Sequence, residues 1–383
     1  MIKNPTTLKM KSSADAVADA KSLIDQERSG RIAGLFTRWR GVNRAFMRYS
    51  RFGKVTMIAG ASGSGKSAIL NMIENDFINP DLNPTFIKHL DRDIYSPTFG
   101  QFIGEDKVMI LAFKYEMSAG DEVLRTVSGK LQKSYGYLLS SEIIGKEDES
   151  GNLIKAKDEN GRQVLDKNGK PIVKALDKEV YNKIDDKEFA KISSELDNMS
   201  NRQIMYIESA GNLEQLYLTC AKFKEENPHL RLVVTLDHTL LSVKLSERDD
   251  GELIAATAHV ADKLKKGLNA NVIFLAQLNG EIEKPLRRDN PSLHFPVKTD
   301  IHWGGQIYWA CDYVFIYHRP ELLGIEKYSH KHPANTKKLI HMACIKSRGG
   351  KIGNVWFKEE FEVGNVRQVE FSEVEWHYDP NKI

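Results

Sequence analysis

From Lys54 onward the apolar residues fall into short, nearly unbroken runs separated by longer amphipathic stretches. Strands are expected at Val55–Ala59, Val108–Phe113, Ile204–Ile207, Leu230–Leu236, Val272–Leu275, Tyr313–Tyr317 and Leu339–Lys346, because near-continuous apolar runs mark strands buried on both faces. Helices are expected at Ser67–Glu74, Asp121–Leu139, Leu213–Glu226 and Leu253–Leu268, the second opening with Ser118-Ala-Gly-Asp121, which fits a capping box. This alternation predicts an α/β fold with a mostly parallel sheet covered by helices.

Two segments break the pattern. Ser13 to Arg28 places Val17, Ala20, Leu23 and Ile24 at helical spacing behind a serine cap. So short a helix is marginal alone and needs a surface to dock on, either its own domain or a neighbouring copy. Gly145 to Asp186 is strongly polar and carries the turn signals Asp148-Glu-Ser-Gly151, Asp158-Glu-Asn-Gly161 and Asp166-Lys-Asn-Gly169, as β-hairpins or a flexible surface insertion require. The chain therefore divides into a linker helix and basic segment, 1–52, and one domain, 53–383, with 145–186 inserted in it.

Composition narrows the class. The 383 residues are 41% hydrophobic and 28% charged, as in a soluble globular protein. No run of about 18 apolar residues occurs and the N-terminus lacks an apolar secretory stretch, so a cytoplasmic location and no membrane partner are expected. Cys220, Cys311 and Cys344 lie far apart in apolar segments and read as buried, reduced thiols. Net charge is only +3, but Arg28, Arg31, Arg38, Arg40, Arg44, Arg48 and Arg51 follow one another with no acid between them. Such a field attracts phosphate backbones or an acidic neighbouring subunit.

The chemistry begins at Gly60-Ala-Ser62-Gly63-Ser64-Gly65-Lys66-Ser67, a complete G-x-x-x-x-G-K-[ST] loop between an apolar strand and an apolar helix. Its glycines let backbone N–H groups curl around phosphates, Lys66 sets its charge against the β/γ oxygens, and the Ser67 hydroxyl binds magnesium. A magnesium-dependent ATPase is implied. A second acid is needed for the metal shell, and Asp237 supplies it at the end of Leu232-Val-Val-Thr-Leu236. Glu116, just past Val108–Phe113, is the candidate to orient the attacking water, provided that strand lies beside the loop strand.

Taken in order, these segments resemble the DnaB-like replicative helicases, a RecA-fold class. The likeness is carried by Glu116-Met-Ser118, Ile204-Met-Tyr-Ile207-Glu208-Ser-Ala-Gly211, Leu236-Asp237-His-Thr-Leu240, Val272-Ile-Phe-Leu-Ala-Gln277-Leu278-Asn279, the stretch Asp300 to Asp312, and Ile345-Lys346-Ser-Arg348-Gly349. The resemblance implies that Glu116 positions the water, Asp237 serves magnesium, and Gln277 reports the γ-phosphate to DNA-facing loops. It also implies that Lys346 and Arg348, two apart on a strand and so on one side, face the ATP of an adjacent subunit.

In Asp300-Ile-His302-Trp303-Gly-Gly305-Gln-Ile307, family members usually carry an arginine and a glutamate where this chain has His302 and Trp303. Trp303 then either stacks on a base or packs in a subunit interface, while Lys284, Arg287, Arg288 and Lys298 offer electrostatic contacts and Gly305 belongs to the same loop region. With only about 50 residues ahead of the loop, an N-terminal helical domain is not expected, an architecture that resembles compact bacteriophage versions. The expectation is a ring, hexameric by resemblance, that uses ATP and magnesium to move on single-stranded DNA. The alternatives are a non-translocating scaffold ATPase on the same core and a recombinase-type filament.

Overall fold

The computed structural model describes residues 10–29, 33–105, 107–147, 150, 152–154, 178–237, 250–302, 304–329, 334–370 and 374. Nine strands build the central sheet: β1 (Lys54–Gly60), β2 (Val108–Lys114), β3 (Ile204–Ile207), β4 (Arg231–Asp237), β5 (Asn271–Gln277), β6 (Tyr313–His318), β7 (Leu339–Ser347), β8 (Gly353–Glu360) and β9 (Asn365–Val369). Their spatial order is β3-β2-β4-β5-β1-β6-β7-β8-β9. The strands from β3 to β6 run parallel to one another, and β7, β8 and β9 are joined antiparallel. All the expected strands are present within a residue or two. β8 and β9 were not foreseen, because their apolar residues are few and mixed with charges, as an exposed antiparallel edge tolerates.

Side chains alternate across β1, so Ile58 enters one core layer with Phe77, Ile110 and Phe315, and Val55, Met57 and Ala59 enter the other with Leu216, Leu264 and Phe274. The helices covering these faces are α2 (Lys66–Phe77), α3 (Ala119–Leu131), α4 (Asp186–Met199), α5 (Leu213–Glu226), α6 (Asp250–Gly267) and α7 (Gly304–Ala310), preceded by α1 (Ser13–Arg28). The three cysteines are free and buried, and burial pushes the Cys220 and Cys311 thiols up to about 12, which makes them unreactive.

Two expectations change. The helix beginning near Asp121 stops at Leu131 rather than Leu139, because Gln132 turns left-handed and Ser134 caps a separate helix, Tyr135–Leu138. Ser118 does cap α3, accepting from the Asp121 N–H at 3.1 Å, but the Asp121 carboxylate returns to the serine hydroxyl at 2.7 Å instead of its backbone N–H. In the polar insertion, Ile143–Glu147 is the middle strand between Leu153–Ile154 and Lys178–Tyr181. Of the three turn signals only Ser150 of the first lies within the described residues. The inserted segment runs straight into α4, capped by Asp185, whose Ile192 and Met199 pack with Val127 and Leu138 of the α3 region.

Helix α1 holds to the domain near its C-terminus, where Glu27 accepts from Tyr49 Oη at 2.6 Å and pairs with Arg51 at 2.8 Å. Its apolar residues Val17, Leu23 and Ile24 stay 53%, 54% and 65% exposed. The arginine run is only partly spent on such ties: Arg38 pairs with the buried Asp76 at 2.7 Å, while Arg40, Arg44 and Arg48 remain exposed. Among the described residues no helix is long and apolar enough to cross a membrane.

Candidate active site

Strand β1 lies between β5 and β6, with Gly60 in register with Gln277 on one side and Tyr317 on the other. A side chain on Gly60 would come within 2.7 Å of the Tyr317 carbonyl, so the loop leaves the sheet at a point where only glycine fits. The loop ends at Gly65, whose φ of 96° is left-handed and whose missing Cβ makes room for the Phe361 ring. Ser62 is exposed and Ser67 half-buried, while the Ser64 hydroxyl is buried without a hydrogen-bond partner among the described residues. Lys66 is 7% exposed and donates to the Ala61 carbonyl at 2.7 Å, closing the loop on itself.

Burial lowers the Lys66 pKa, and the carboxylates of Glu116 and Asp237 pull it back up. Those two acids therefore share one electrostatic site with the loop lysine. Asp237 ends β4 and is 2% exposed, and its carbonyl accepts from the Tyr115 N–H at 2.8 Å. Glu116 lies two residues beyond β2 and is exposed. The condition set for it at the sequence level is not met, since β4 and β5 stand between β2 and β1. The Glu116 charge nevertheless acts on Lys66.

Gln277 ends β5 beside the loop, and the next residue, Leu278, donates to the Gly60 carbonyl at 3.2 Å. The Gln277 carbonyl accepts from His302 N–H at 3.0 Å, and Asn279 N–H donates to the Asp300 carbonyl at 2.7 Å. Both ends of the 279–302 loop are thus tied to the strand end that flanks the phosphate loop. Within it, Arg287 is consumed: it makes a bidentate pair with the buried Asp300 at 2.6 and 3.0 Å and donates to the Leu293 and Phe295 carbonyls at 2.7 and 3.1 Å. That guanidinium folds the loop rather than presenting itself to a ligand, contrary to the expectation of an electrostatic contact. Arg288 stays half exposed beside Asp289, and Lys298 turns to the rings of Tyr308 and Trp309 at 4.7 and 4.6 Å. Gly305 lies on α7, and Trp303 lies outside the described residues.

Lys346 and Arg348 do share one side. Lys346 Nζ donates to the Tyr308 and Trp309 carbonyls at 2.5 and 3.3 Å, and Arg348 Nη2 donates to the Trp309 carbonyl at 2.9 Å, so both cap the C-terminal end of α7. Because β7 runs antiparallel to β6, Lys346 lies level with Met57 of β1 and Arg348 with Val55, both short of Gly60. Three residues of strand, about 10 Å, separate Lys346 from the chain's own phosphate loop, and five residues, about 17 Å, separate Arg348 from it.

Residues 162–365, more than half of the chain, match the model of the DnaB-like helicase C-terminal domain. The chain belongs to that family. The match takes in Asp237, Gln277, Lys346 and Arg348 and begins after the phosphate loop and Glu116. One solved structure, itself an ATPase domain, superposes with a TM-score of 0.63 at 15% identity, covering 94% of this chain and all of that one. A DnaB-like replicative helicase, solved in a study of its interactions with primase, gives 0.64 at 17% identity over 95% of this chain and 68% of its own. The fold is thus that of RecA-like ATPase domains. No curated protein matches this chain by sequence.

In this DnaB-like chain the site extends beyond the residues the sequence singled out. A cavity of about 840 Å³ opens beside the loop, lined by Gly63, Gly65, Ala68, Arg125, Arg319 and Phe361 among others. The Arg319 guanidinium lies 5.0 Å over the Phe361 ring, which in turn packs on Gly65. Neither residue carried a recognisable motif; Arg319 is legible only as a cation just past the end of the strand beside the loop. The donor set fits a nucleotide and its metal: open space at Gly63, a buried serine hydroxyl in the loop, and a buried carboxylate near the loop lysine.

Proposed function

We propose that this chain is an ATP-driven translocase and helicase on single-stranded DNA, working as a closed ring whose nucleotide sites lie between copies, in the cytoplasm of a bacterial or phage-infected cell. The observation that carries this reading is the split of charged groups between the two ends of the sheet. Lys66, Glu116, Asp237 and Gln277 gather at one end, while Lys346 is set back from the loop by about 10 Å of strand and Arg348 by about 17 Å. A cation pair that cannot serve its own loop is suited to serve a neighbour's.

In this scheme the backbone N–H groups of Gly63, Ser64 and Gly65 and the Lys66 ammonium cradle the phosphates. Ser67 and Asp237 would hold magnesium, which would supply charge neutralisation at the phosphates. Glu116 orients water for in-line attack, and Lys346 and Arg348 reach the neighbour's γ-phosphate. The Gln277 amide, one residue from the Leu278 N–H bonded to Gly60 and bonded through its own carbonyl to His302, passes a shift at the phosphate into the 279–302 loop. The nucleoside would rest in the cavity against Arg319 and Phe361. The unpartnered apolar face of α1 supplies a docking element for the adjacent copy.

The test is steady-state ATP hydrolysis with magnesium, with and without single-stranded DNA, over a salt series, alongside electron microscopy. Strong stimulation by DNA that fades with salt, and closed rings, support the motor; open helices point to a recombinase-type filament. A non-translocating scaffold ATPase remains the second reading, favoured by one observation: Arg287 is bound to Asp300 and Lys298 to the α7 rings, which thins the cations left to grip DNA. Turnover indifferent to DNA decides for it.

A further inference from the structure

Beneath the strand ends that carry Glu116 and Asp237 lies a fully buried charged cluster that the scheme above does not use. Lys114, the last residue of β2, places Nζ 3.0 Å from Glu74 Oε2 and 3.5 Å from Glu122 Oε1, and all three side chains are 1–3% exposed. Glu74 belongs to α2, the helix that starts at Lys66; Glu122 belongs to α3, the helix that follows Glu116. The second Glu74 oxygen accepts from the hydroxyl of Thr235 at 2.5 Å, and Thr235 stands two residues before Asp237 on β4. Asn71 of α2 donates to the Glu122 backbone carbonyl at 3.1 Å and to its carboxylate. Four elements that each lead to a group of the nucleotide site thus meet in one network.

Stability alone is a poor reason for such a cluster. Removing two carboxylates and an ammonium from water costs about as much as their attraction returns, and well-packed apolar residues often serve as well or better. What the cluster does supply is an arrangement of the elements it joins: although Lys114 Nζ and Glu122 Oε1 make ion pairs without a hydrogen bond among the described residues, separating any one partner leaves a buried charge uncompensated.

We propose that Lys114, with Glu74, Glu122 and Thr235, is a positioning device that sets the strand ends bearing Glu116 and Asp237 at a fixed place relative to the Lys66 helix. It touches no substrate and acts through those residues, so the inference rests on the roles given to Glu116 and Asp237 above. Chemistry of this kind tolerates little slack, since a displacement of about 1 Å can cost roughly a hundredfold in rate.

The test is ATP hydrolysis by the full chain carrying Lys114→Met, Glu74→Gln and Glu122→Gln together, which removes every charge of the cluster and leaves the volume filled. The expected result is an intact far-UV CD spectrum, a KM for ATP within about twofold of the parent, a kcat lower by about ten- to a hundredfold and a raised magnesium half-saturation. Lys114→Arg, which keeps the cation, retains most of kcat. A triple variant that folds and turns over within threefold of the parent, at the same magnesium requirement, overturns the proposal. Glu116→Gln and Asp237→Ala run in parallel: if they leave hydrolysis intact, the site reading fails instead. Should the triple variant not fold, Thr235→Val takes its place, cutting only the tie to the Asp237 strand; an unchanged kcat and magnesium dependence there count equally against the device.

Discussion

On one side of the central sheet the six strands β3, β2, β4, β5, β1 and β6 run parallel and discharge Lys66, Glu116, Asp237 and Gln277 at a common end. On the other, β7 to β9 fold back antiparallel, and β7 carries Lys346 and Arg348 to the opposite end. The interiors differ as well. The parallel half buries charge, in the Lys114, Glu74 and Glu122 cluster. The antiparallel half buries neutral polar rings: His341 stacks on Trp356 with centroids 4.3 Å apart and shares a 2.8 Å hydrogen bond with Tyr328 Oη. A parallel sheet aligns strand ends and so collects chemistry at one edge, whereas strand reversal separates groups that are close in sequence from that edge. In the proposed ring, one sheet thereby offers half a site at each end, which a neighbouring copy would complete.

The largest effects are expected at the parallel end. Lys66→Ala and Glu116→Gln each lower turnover by up to about ten-thousandfold, and Glu116→Gln still binds ATP in an equilibrium titration. An active Glu116→Gln variant removes that residue from the mechanism. At the antiparallel end Arg348→Ala lowers turnover by about a thousandfold without unfolding the domain, because the buried Asp312 beside it keeps Lys265 at 2.8 Å and the Val55 N–H at 3.0 Å. Mixing Arg348→Ala with Glu116→Gln subunits restores activity only if the arginine acts across the interface. Absence of rescue at every mixing ratio would break the comparison between the two ends.

A smaller effect separates two adjacent arginines. Arg287→Ala leaves Asp300 buried and unpaired, so it lowers stability by about 3 kcal/mol in chemical denaturation. Arg288→Ala changes stability by less than about 0.5 kcal/mol, its partner Asp289 being exposed, and acts instead on the salt dependence of DNA binding. Equal stability losses would mean that the loop is not held by the Arg287 pair.

Much of this was legible before any coordinates. The phosphate loop, Asp237 and the seven expected strands follow from local patterns, because glycine spacing and apolar runs are dictated by backbone geometry and burial. β8 and β9 were not visible, since each presents few apolar residues, and the cavity residues Arg319 and Phe361 come together only through tertiary packing. Sequence likewise placed Arg287 among the DNA contacts because it cannot tell a cation held by a buried carboxylate from a free one. Nothing in the sequence singles out Lys114; its burial depends on Glu74 and Glu122, which are on different helices.

The least dramatic expectation concerns acid. At the seam where His318 of β6 pairs with His341 of β7, burial, together with His341, Arg287 and His294, holds His318 down to about 3, and burial holds His341 down to about 4 even though Asn354 Oδ1 at 2.8 Å favours its charged form. In the unfolded chain both titrate near 6.5. As pH falls below that value the unfolded state takes up protons first, so the stability contributed by the neutral rings is present above about 6.5 and lost on the way to pH 4. At pH 5 each ring costs about 2 kcal/mol. In the parallel half burial raises Glu74 and Asp76 above their ordinary values, which favours the folded state on the acid side. Hydrogen exchange, corrected for the intrinsic pH effect, should therefore show amides of β7 and β8 losing protection at pH 5 while β1 and β4 keep theirs, and His341→Gln should flatten that difference. If both halves loosen together with the same pH slope, the buried histidines are not what sets the acid limit, and the two halves of the sheet unfold as one unit.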